Sequence, residues 1–258
     1  MNPARVTPLI LTWNEEDNIE RCLLRLDWAS EIVVIDSGST DRTLEICKQF
    51  VGVSVYQNRF ESFAAQTNFG LTKVPTDWVL SIDADYILPM GFKQDLEDLD
   101  SGSDLVGGYA SFDYCVFGRP LESTLYPPRL VLHRVKNSVY VQDGHAHRVQ
   151  IDGRKVDLGI RIDHDDRKPL PRWFASQASY ARQEAEKLLH ADPRSLSRQD
   201  RLRRWGWASP WMVVFWCLVV RRCALDGWDG MYYTFQRMIA ETMLAICILD
   251  ARLRGGKK

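Results

Sequence analysis

Two periods of apolar spacing alternate along the first hundred residues. The run TPLILTWN (7–14) is short and apolar with β-branched content, as a buried strand requires. It gives way to EEDNIERCLLRL (15–26). There Ile19, Cys22, Leu23 and Leu26 recur at three- and four-residue spacing, behind acids that suit the positive end of a helix. EIVVIDSGSTDRTLEICKQF (31–50) repeats the unit: a strand over 32–35, a Gly/Ser turn, and a helix that Thr40 or Asp41 would cap. VSVYQN (53–58), ESFAAQTNFGLTKV (61–74) and DWVLSIDAD (77–85) predict a third strand, a third helix and a fourth strand. Strands joined by helices of about ten residues imply right-handed crossovers. The expected fold is α/β, a mostly parallel, Rossmann-like sheet with helices on both faces.

From about residue 105 the texture changes. DLVGGYASFDYCVFG (104–118), PPRLVLHR (127–134), AHRVQIDG (146–153) and VDLGIRIDH (156–164) predict shorter strands, added antiparallel to the same sheet. An amphipathic helix is expected over 173–190, with Phe174, Gln177, Tyr180 and Ala181 on one side. A basic stretch, RSLSRQDRLRRWGW (194–207), then an apolar run, WMVVFWCLVV (211–220), lead to a last helix over 231–253.

Composition narrows the partners. The chain has 258 residues, 45% of them hydrophobic, enough for one sizeable core. Lys and Arg number 33 against 34 Asp and Glu, a net charge of -1, so no global basic field argues for nucleic acid. The six cysteines are far apart and form no C-x-x-C pair, which reads as buried thiols in a reducing compartment. MNPARVTPLILTWNEE (1–16) has neither the apolar length nor the cleavage site of a secretory signal, so the α/β half is expected in the cytoplasm.

Candidate chemistry lies where the strands end. Ligands of an open parallel sheet bind beyond the carboxyl ends of its strands. Asp36 follows the second strand there, and Asp83 and Asp85 the fourth. Carboxylates gathered at one rim repel one another. A divalent cation held by oxygen ligands, Mg²⁺ or Mn²⁺, would offset them and enter together with substrate phosphates. A lone D-x-D can also be a turn or a helix cap. Here LTWNEE, VVIDSGSTDRT and SIDADY follow in order after the first, second and fourth strands.

In those three segments the chain resembles the family 2 glycosyltransferases of GT-A fold, over roughly residues 5–165. The resemblance implies a domain over 1–168, with 1–100 as the nucleotide-sugar-binding half and 101–168 as the acceptor half, followed by a helical region over 169–258. It also implies that Thr12, Asn14 and Glu15 line the nucleotide pocket and that Asp36 contacts the base or ribose. Asp83 would face the donor ribose or the metal and Ala84 the donor, and Asp85 would ligate the metal that bridges its diphosphate. Gln66 stands where relatives often carry arginine, so Gln66 and Asn68 are assigned hydrogen bonds to the donor only. Tyr86 stands where many relatives have Glu.

The implied reaction is an inverting transfer from a nucleotide-diphosphate sugar, UDP-sugar favoured, to an acceptor hydroxyl, with a carboxylate base. In YVQDGHAHRVQIDG (140–153) Asp143 is the expected base and His145 the runner-up, although Asp-Gly is also a common hairpin turn. His164 is expected to complete the metal site, against the alternative of a structural histidine. Asp165 and Asp166 would cap the helix beginning near Pro169. Arg129 is expected on an acceptor phosphate or, equally, as an arginine on an exposed strand edge. A sugar nucleotidyltransferase would carry a Gly-rich, basic loop after the first strand, and LTWNEEDN is neither. An inactive sugar-binding scaffold at a membrane is the alternative of another class.

As a helix, the run 211–220 is roughly 15 Å long, about half the thickness of a bilayer core. Two readings stay open. It lies in the interface of an anionic leaflet, with flanking arginines contributing about 1 kcal/mol each, or it packs against 231–249 as a hairpin or within a homo-oligomer. The segment resembles membrane-associated bacterial enzymes of lipopolysaccharide-core and envelope polysaccharide synthesis. That implies a lipid-linked or glycan acceptor and a place on the cytoplasmic face of the inner membrane.

Overall fold

The computed structural model describes residues 1–255 apart from 101, 103, 123, 124 and 145. They form two compact units, the first within residues 1–120, 126–142 and 147–168, the second within 121–125, 143–146 and 169–255.

The first unit opens with β1 (Val6–Thr12), α1 (Ile19–Leu23), β2 (Ile32–Asp36), α2 (Thr43–Cys47), β3 (Val53–Gln57), α3 (Phe63–Leu71) and β4 (Trp78–Asp83). These strands pair in parallel in the order β3-β2-β1-β4. Their unbroken apolar runs are explained by burial on both faces; Ile10, Val33, Val34, Ile35, Val79 and Leu80 have no exposed surface. One helix comes unusually close to the sheet: a Cβ on Gly70 of α3 would lie 2.6 Å from Leu9 Cδ1 and 3.1 Å from Ile35 Cγ1, a distance only glycine allows. Register sets Thr12 opposite Asp36 and Leu11 opposite Asp83, so β1, β2 and β4 end at one rim.

The later elements are β5 (Tyr86–Ile87), α4 (Phe92–Asp98), β6 (Leu105–Val116), β7 (Arg119–Pro120), β8 (Arg129–Arg134), β9 (Val139–Asp143), β10 (Ala146–Gln150) and β11 (Arg154–His164). They extend the sheet as β4-β8-β6-β11-β5, with β7 paired to β6. β8 is antiparallel to both neighbours, as expected. Two expectations are corrected. β11 runs parallel to β6, because β8 and the β9/β10 ribbon intervene and return the chain to the end from which β6 started. β10 does not join the main sheet; it pairs with β9 in a ribbon of its own.

The second unit holds α5 (Leu170–His190), α6 (Arg198–Arg203), α7 (Ser209–Phe215) with a π-helical turn over Trp216–Val220, a 3₁₀ turn over Cys223–Asp226, and α8 (Gly227–Gly255). Its core joins Ala181, Ala185 and Leu188 of α5 to Leu196 and to Leu244 and Ile248 of α8. The buried face of α5 therefore lies in its C-terminal half, where α8 packs, and the expected stripe through Phe174 is partly exposed. Asp166 and Asp165, expected as caps, bind elsewhere: Asp166 Oδ1 accepts the Lys168 N–H (3.0 Å) and Asp165 Oδ1 the Gly118 N–H (2.9 Å). Among the described residues no helix is long and apolar enough to cross a membrane, and none of the six cysteines is in a disulfide.

Candidate active site

Two loops at the sheet rim are stitched together by side chains the sequence had marked for the donor. Asn14 takes a positive φ of 55°. Its N–H donates to Ser39 Oγ (2.7 Å) and its amide oxygen accepts from the Thr40 N–H (2.7 Å). The Glu15 N–H donates to Thr43 Oγ1 (2.7 Å) and the Glu16 N–H to an Asp41 oxygen (3.1 Å). Below them Asp36 has no exposed surface. One carboxylate oxygen accepts the N–H groups of Gly38 and Ser39, both at 2.9 Å, and the other accepts the hydroxyls of Ser39 and Thr12. Gly38 follows at φ 89°, a conformation that suits glycine. Direct contact of Asp36 with base or ribose is thus not what the structure shows, because the carboxylate is consumed in closing its own turn.

Gln66 and Asn68 are corrected in the same way. Gln66 is fully buried; its amide nitrogen donates to Ser37 Oγ and Asn58 O (2.9 Å each), and its oxygen accepts from Asn58 Nδ2 (2.7 Å). Asn68 brackets the main chain of Tyr140, donating to its carbonyl (2.9 Å) and accepting its N–H (2.8 Å). Their amides hold loops and the β9 strand in place; both N–H groups of Gln66 are taken up in this way, as are one N–H and one lone pair of Asn68.

The turn after β4 is where chemistry gathers. Asp83 is part-exposed, and Arg129 Nη1 reaches its Oδ2 at 3.4 Å. Arg129 lies on β8, between β4 and β6, so it is neither an edge arginine nor placed apart from Asp83. The same nitrogen donates to the Tyr86 hydroxyl (2.6 Å), which also hydrogen-bonds Tyr126 (2.6 Å). Tyr86, in the place of an expected acid, is therefore a buried link between this arginine and the core. Ala84 is buried between the two acids, and Asp85 is itself buried.

Around Asp85 stand His164, the last residue of β11, and Lys168. His164 Nε2 lies 3.4 Å and Lys168 Nζ 3.5 Å from Asp85 Oδ2. Burial alone would raise the Asp85 carboxyl, but the charges of His164 and Lys168 outweigh it and hold Asp85 well below the usual carboxylate range. Likewise burial disfavours the His164 imidazolium, and Asp85 more than reverses that. Tyr86, Tyr114 and Tyr126 present their rings edgewise to His164 at 5.3, 5.3 and 4.9 Å. Burial pushes Glu15 up to about 7 against the pull of Lys168.

Asp85 Oδ1 and His164 Nδ1 are both buried and have no hydrogen-bond partner. Among the described residues no three His, Cys, Asp or Glu side chains are grouped to hold an ion by themselves. Asp85 and His164, which face each other through Oδ2 and Nε2 at 3.4 Å, could supply a divalent ion with two ligands at most, the remainder coming from a diphosphate and water.

Asp143 belongs to the second unit, ion-paired with Lys187 at 2.7 Å. His145 lies outside the described residues. Sequence reasoning missed Lys168, one basic residue in the polar run HDDRKPL with no local pattern to mark it.

The sheet, with Asp83, Ala84 and Asp85 at the end of a parallel strand beside half-buried His164, matches the GT-A glycosyltransferase fold. The model of glycosyl transferase family 2 matches residues 9–138, about half the chain, and the chain belongs to that family. It is 29% identical over 108 residues to the lipopolysaccharide core biosynthesis glycosyltransferase LpsC of Rhizobium meliloti, which covers 40% of each chain. It is 33% identical over 94 residues to an uncharacterized glycosyltransferase of Rickettsia bellii, or 36% of this chain and 32% of that one. The matched stretches thus span less than half of these curated relatives. In fold it is similar to S. aureus TarS residues 1–349, with a TM-score of 0.50, 14% identity, and 98% and 92% of the two chains covered.

Proposed function

We propose that this glycosyltransferase moves a sugar, with inversion, from a UDP-sugar to a hydroxyl of a lipid-linked or envelope-glycan acceptor. The observation that carries the reading is buried Asp85, with His164 Nε2 3.4 Å from its Oδ2 and its Oδ1 without a hydrogen-bond partner, at the rim where three parallel strands end. These two residues would hold Mg²⁺ or Mn²⁺, which when bound supplies Lewis-acid charge to the leaving diphosphate. Asp83, part-exposed and reached by Arg129, hydrogen-bonds the donor ribose. Thr12, Asn14 and Asp36 shape the floor beneath the base by fixing the two loops. Asp143 takes the proton of the acceptor hydroxyl, with the Lys187 ammonium orienting its carboxylate. A panel of nucleotide-sugars tests this: one UDP-sugar should release UDP with Mn²⁺ or Mg²⁺ and stop with EDTA. Release unaffected by chelation would rule out the metal-assisted reading.

The acceptor class rests on a surface of the second unit. Trp211, Met212, Phe215, Trp216, Val219 and Val220 are all exposed and recur in pairs every four residues, which places them on one side of the α7 and π-helical segment. The opposite side, with Ser209, Pro210 and Cys217, is buried, and α7 packs on α8. Arg201, Arg221 and Arg222 are exposed at its ends, and no acid lies between Asp200 and Asp226. An aromatic face with cationic flanks and no acids complements an anionic lipid interface. On this reading the enzyme sits on the cytoplasmic face of a bacterial inner membrane. The protein should float with phosphatidylglycerol vesicles at low salt and less with phosphatidylcholine vesicles, and Trp211→Ser with Phe215→Ser and Trp216→Ser should reduce flotation at least about tenfold. Failure to float, with a dimer in solution that the triple variant dissolves, would assign the face to a second copy instead.

A further inference from the structure

Lys168 is the cation that the site already contains. Its ammonium lies 3.1 Å from Glu15 Oε1, 3.2 Å from Asp166 Oδ1 and 3.5 Å from Asp85 Oδ2, with its side chain 16% exposed. The three acids come from three separate stretches of chain: the loop after β1, the turn after β4, and the tail of β11. A structural ion pair needs one acid, whereas here three carboxylates converge on one ammonium beside the unsatisfied Oδ1 of Asp85. Lys168 shares Asp85 Oδ2 with His164 Nε2, and burial has already pushed Glu15 up, so only part of the negative charge is left to attract further positive charge. That charge cannot settle at Asp85 without meeting Lys168, whose nitrogen already stands beside the other oxygen of the same carboxylate. An ammonium and a divalent ion a few ångströms apart repel each other, and a diphosphate between them would relieve both.

We propose that Lys168 is a resident counter-cation that keeps a divalent ion from binding at Asp85 until the donor diphosphate brings the compensating charge. Lys168 is then a positioning residue, which enforces joint entry of ion and donor. Its long flexible stem suits a point charge that shifts from the carboxylates towards a diphosphate. The inference rests on the reading that Asp85 and His164 hold the ion.

The test is Mn²⁺ binding without any nucleotide, read from loss of the free Mn²⁺ electron paramagnetic resonance signal. Wild-type protein should bind Mn²⁺ weakly, Lys168→Met at least about tenfold more tightly, and Lys168→Arg, which keeps the charge, close to wild type. Affinity for UDP without metal should fall in Lys168→Met. Should that variant not fold, the comparison of Glu15→Gln with Glu15→Gln/Lys168→Met should show the same tightening on a less acidic background. Equal Mn²⁺ affinity with and without Lys168 would overturn the proposal while leaving the metal site intact. Binding that Asp85→Asn does not weaken would instead show that the ion is not at Asp85, and would remove the reading beneath it.

Discussion

Asp85→Asn is expected to lower kcat/KM for sugar transfer by about three orders of magnitude, with the fold retained. The amide is nearly isosteric with the carboxylate but carries no charge, so it offsets neither His164 nor Lys168 and is a poor ligand for a hard divalent ion. The Asp85 main-chain carbonyl, which accepts the Asp165 N–H at 3.0 Å, is untouched, so the β11 tail stays docked. Initial rates of UDP release, with circular dichroism as a check on folding, measure this. A loss under about tenfold would mean that the acid is not part of the transition-state machinery. Asp36→Asn should behave oppositely. Its Oδ2 accepts two fixed main-chain N–H groups and its Oδ1 two hydroxyls, so the amide must turn its oxygen to Gly38 and Ser39, its nitrogen can only donate to hydroxyls that reverse their roles, and the charge that strengthens all four bonds is lost. The first sign of that variant should be a lower melting temperature.

Gly230→Ala is expected to destabilise the second unit by about 3 kcal/mol or more, a typical upper range for forced overpacking. An added Cβ would stand 1.8 Å from the carbonyl oxygen of Cys223 and 2.9 Å from Asp226 Cβ. The first neighbour is backbone and cannot rotate away. The start of α8 or the 3₁₀ turn before it must therefore move. Gly255→Ala near the end of the same helix meets nothing within 4 Å and is the control, expected to be neutral. Thermal unfolding and hydrogen exchange across α8 read both; an unchanged melting temperature for Gly230→Ala would contradict the close approach of turn and helix.

The parallel half of the sheet was legible because β1, β2 and β4 are buried on both faces, which writes their positions as continuous apolar runs. Beyond β6 that signal weakens. Whether β11 runs with or against β6, and whether β10 joins the sheet, depends on how the intervening chain returns, which no local spacing encodes. At the site, the motif brought Asp83, Asp85 and His164 to notice, and the structure sets His164 beside Asp85. It did not separate residues facing a ligand from residues holding the loops. Asp36, Gln66 and Asn68 have the right chemistry for a donor, but their partners lie on other segments; Asn68 meets the main chain of Tyr140 on β9. Lys168 was hidden for the converse reason. Its three acids are far apart in sequence except for Asp166, so only the folded chain shows them sharing one ammonium.

The central claim is that Asp85 and His164 hold the ion that pairs with the donor diphosphate. Anomalous diffraction from crystals grown with Mn²⁺ and UDP addresses it most directly. The account requires one Mn²⁺ peak bonded to an Asp85 oxygen and to a diphosphate oxygen, with His164 in contact. UDP bound at the rim with no Mn²⁺ at Asp85, or with Mn²⁺ held elsewhere, would contradict it.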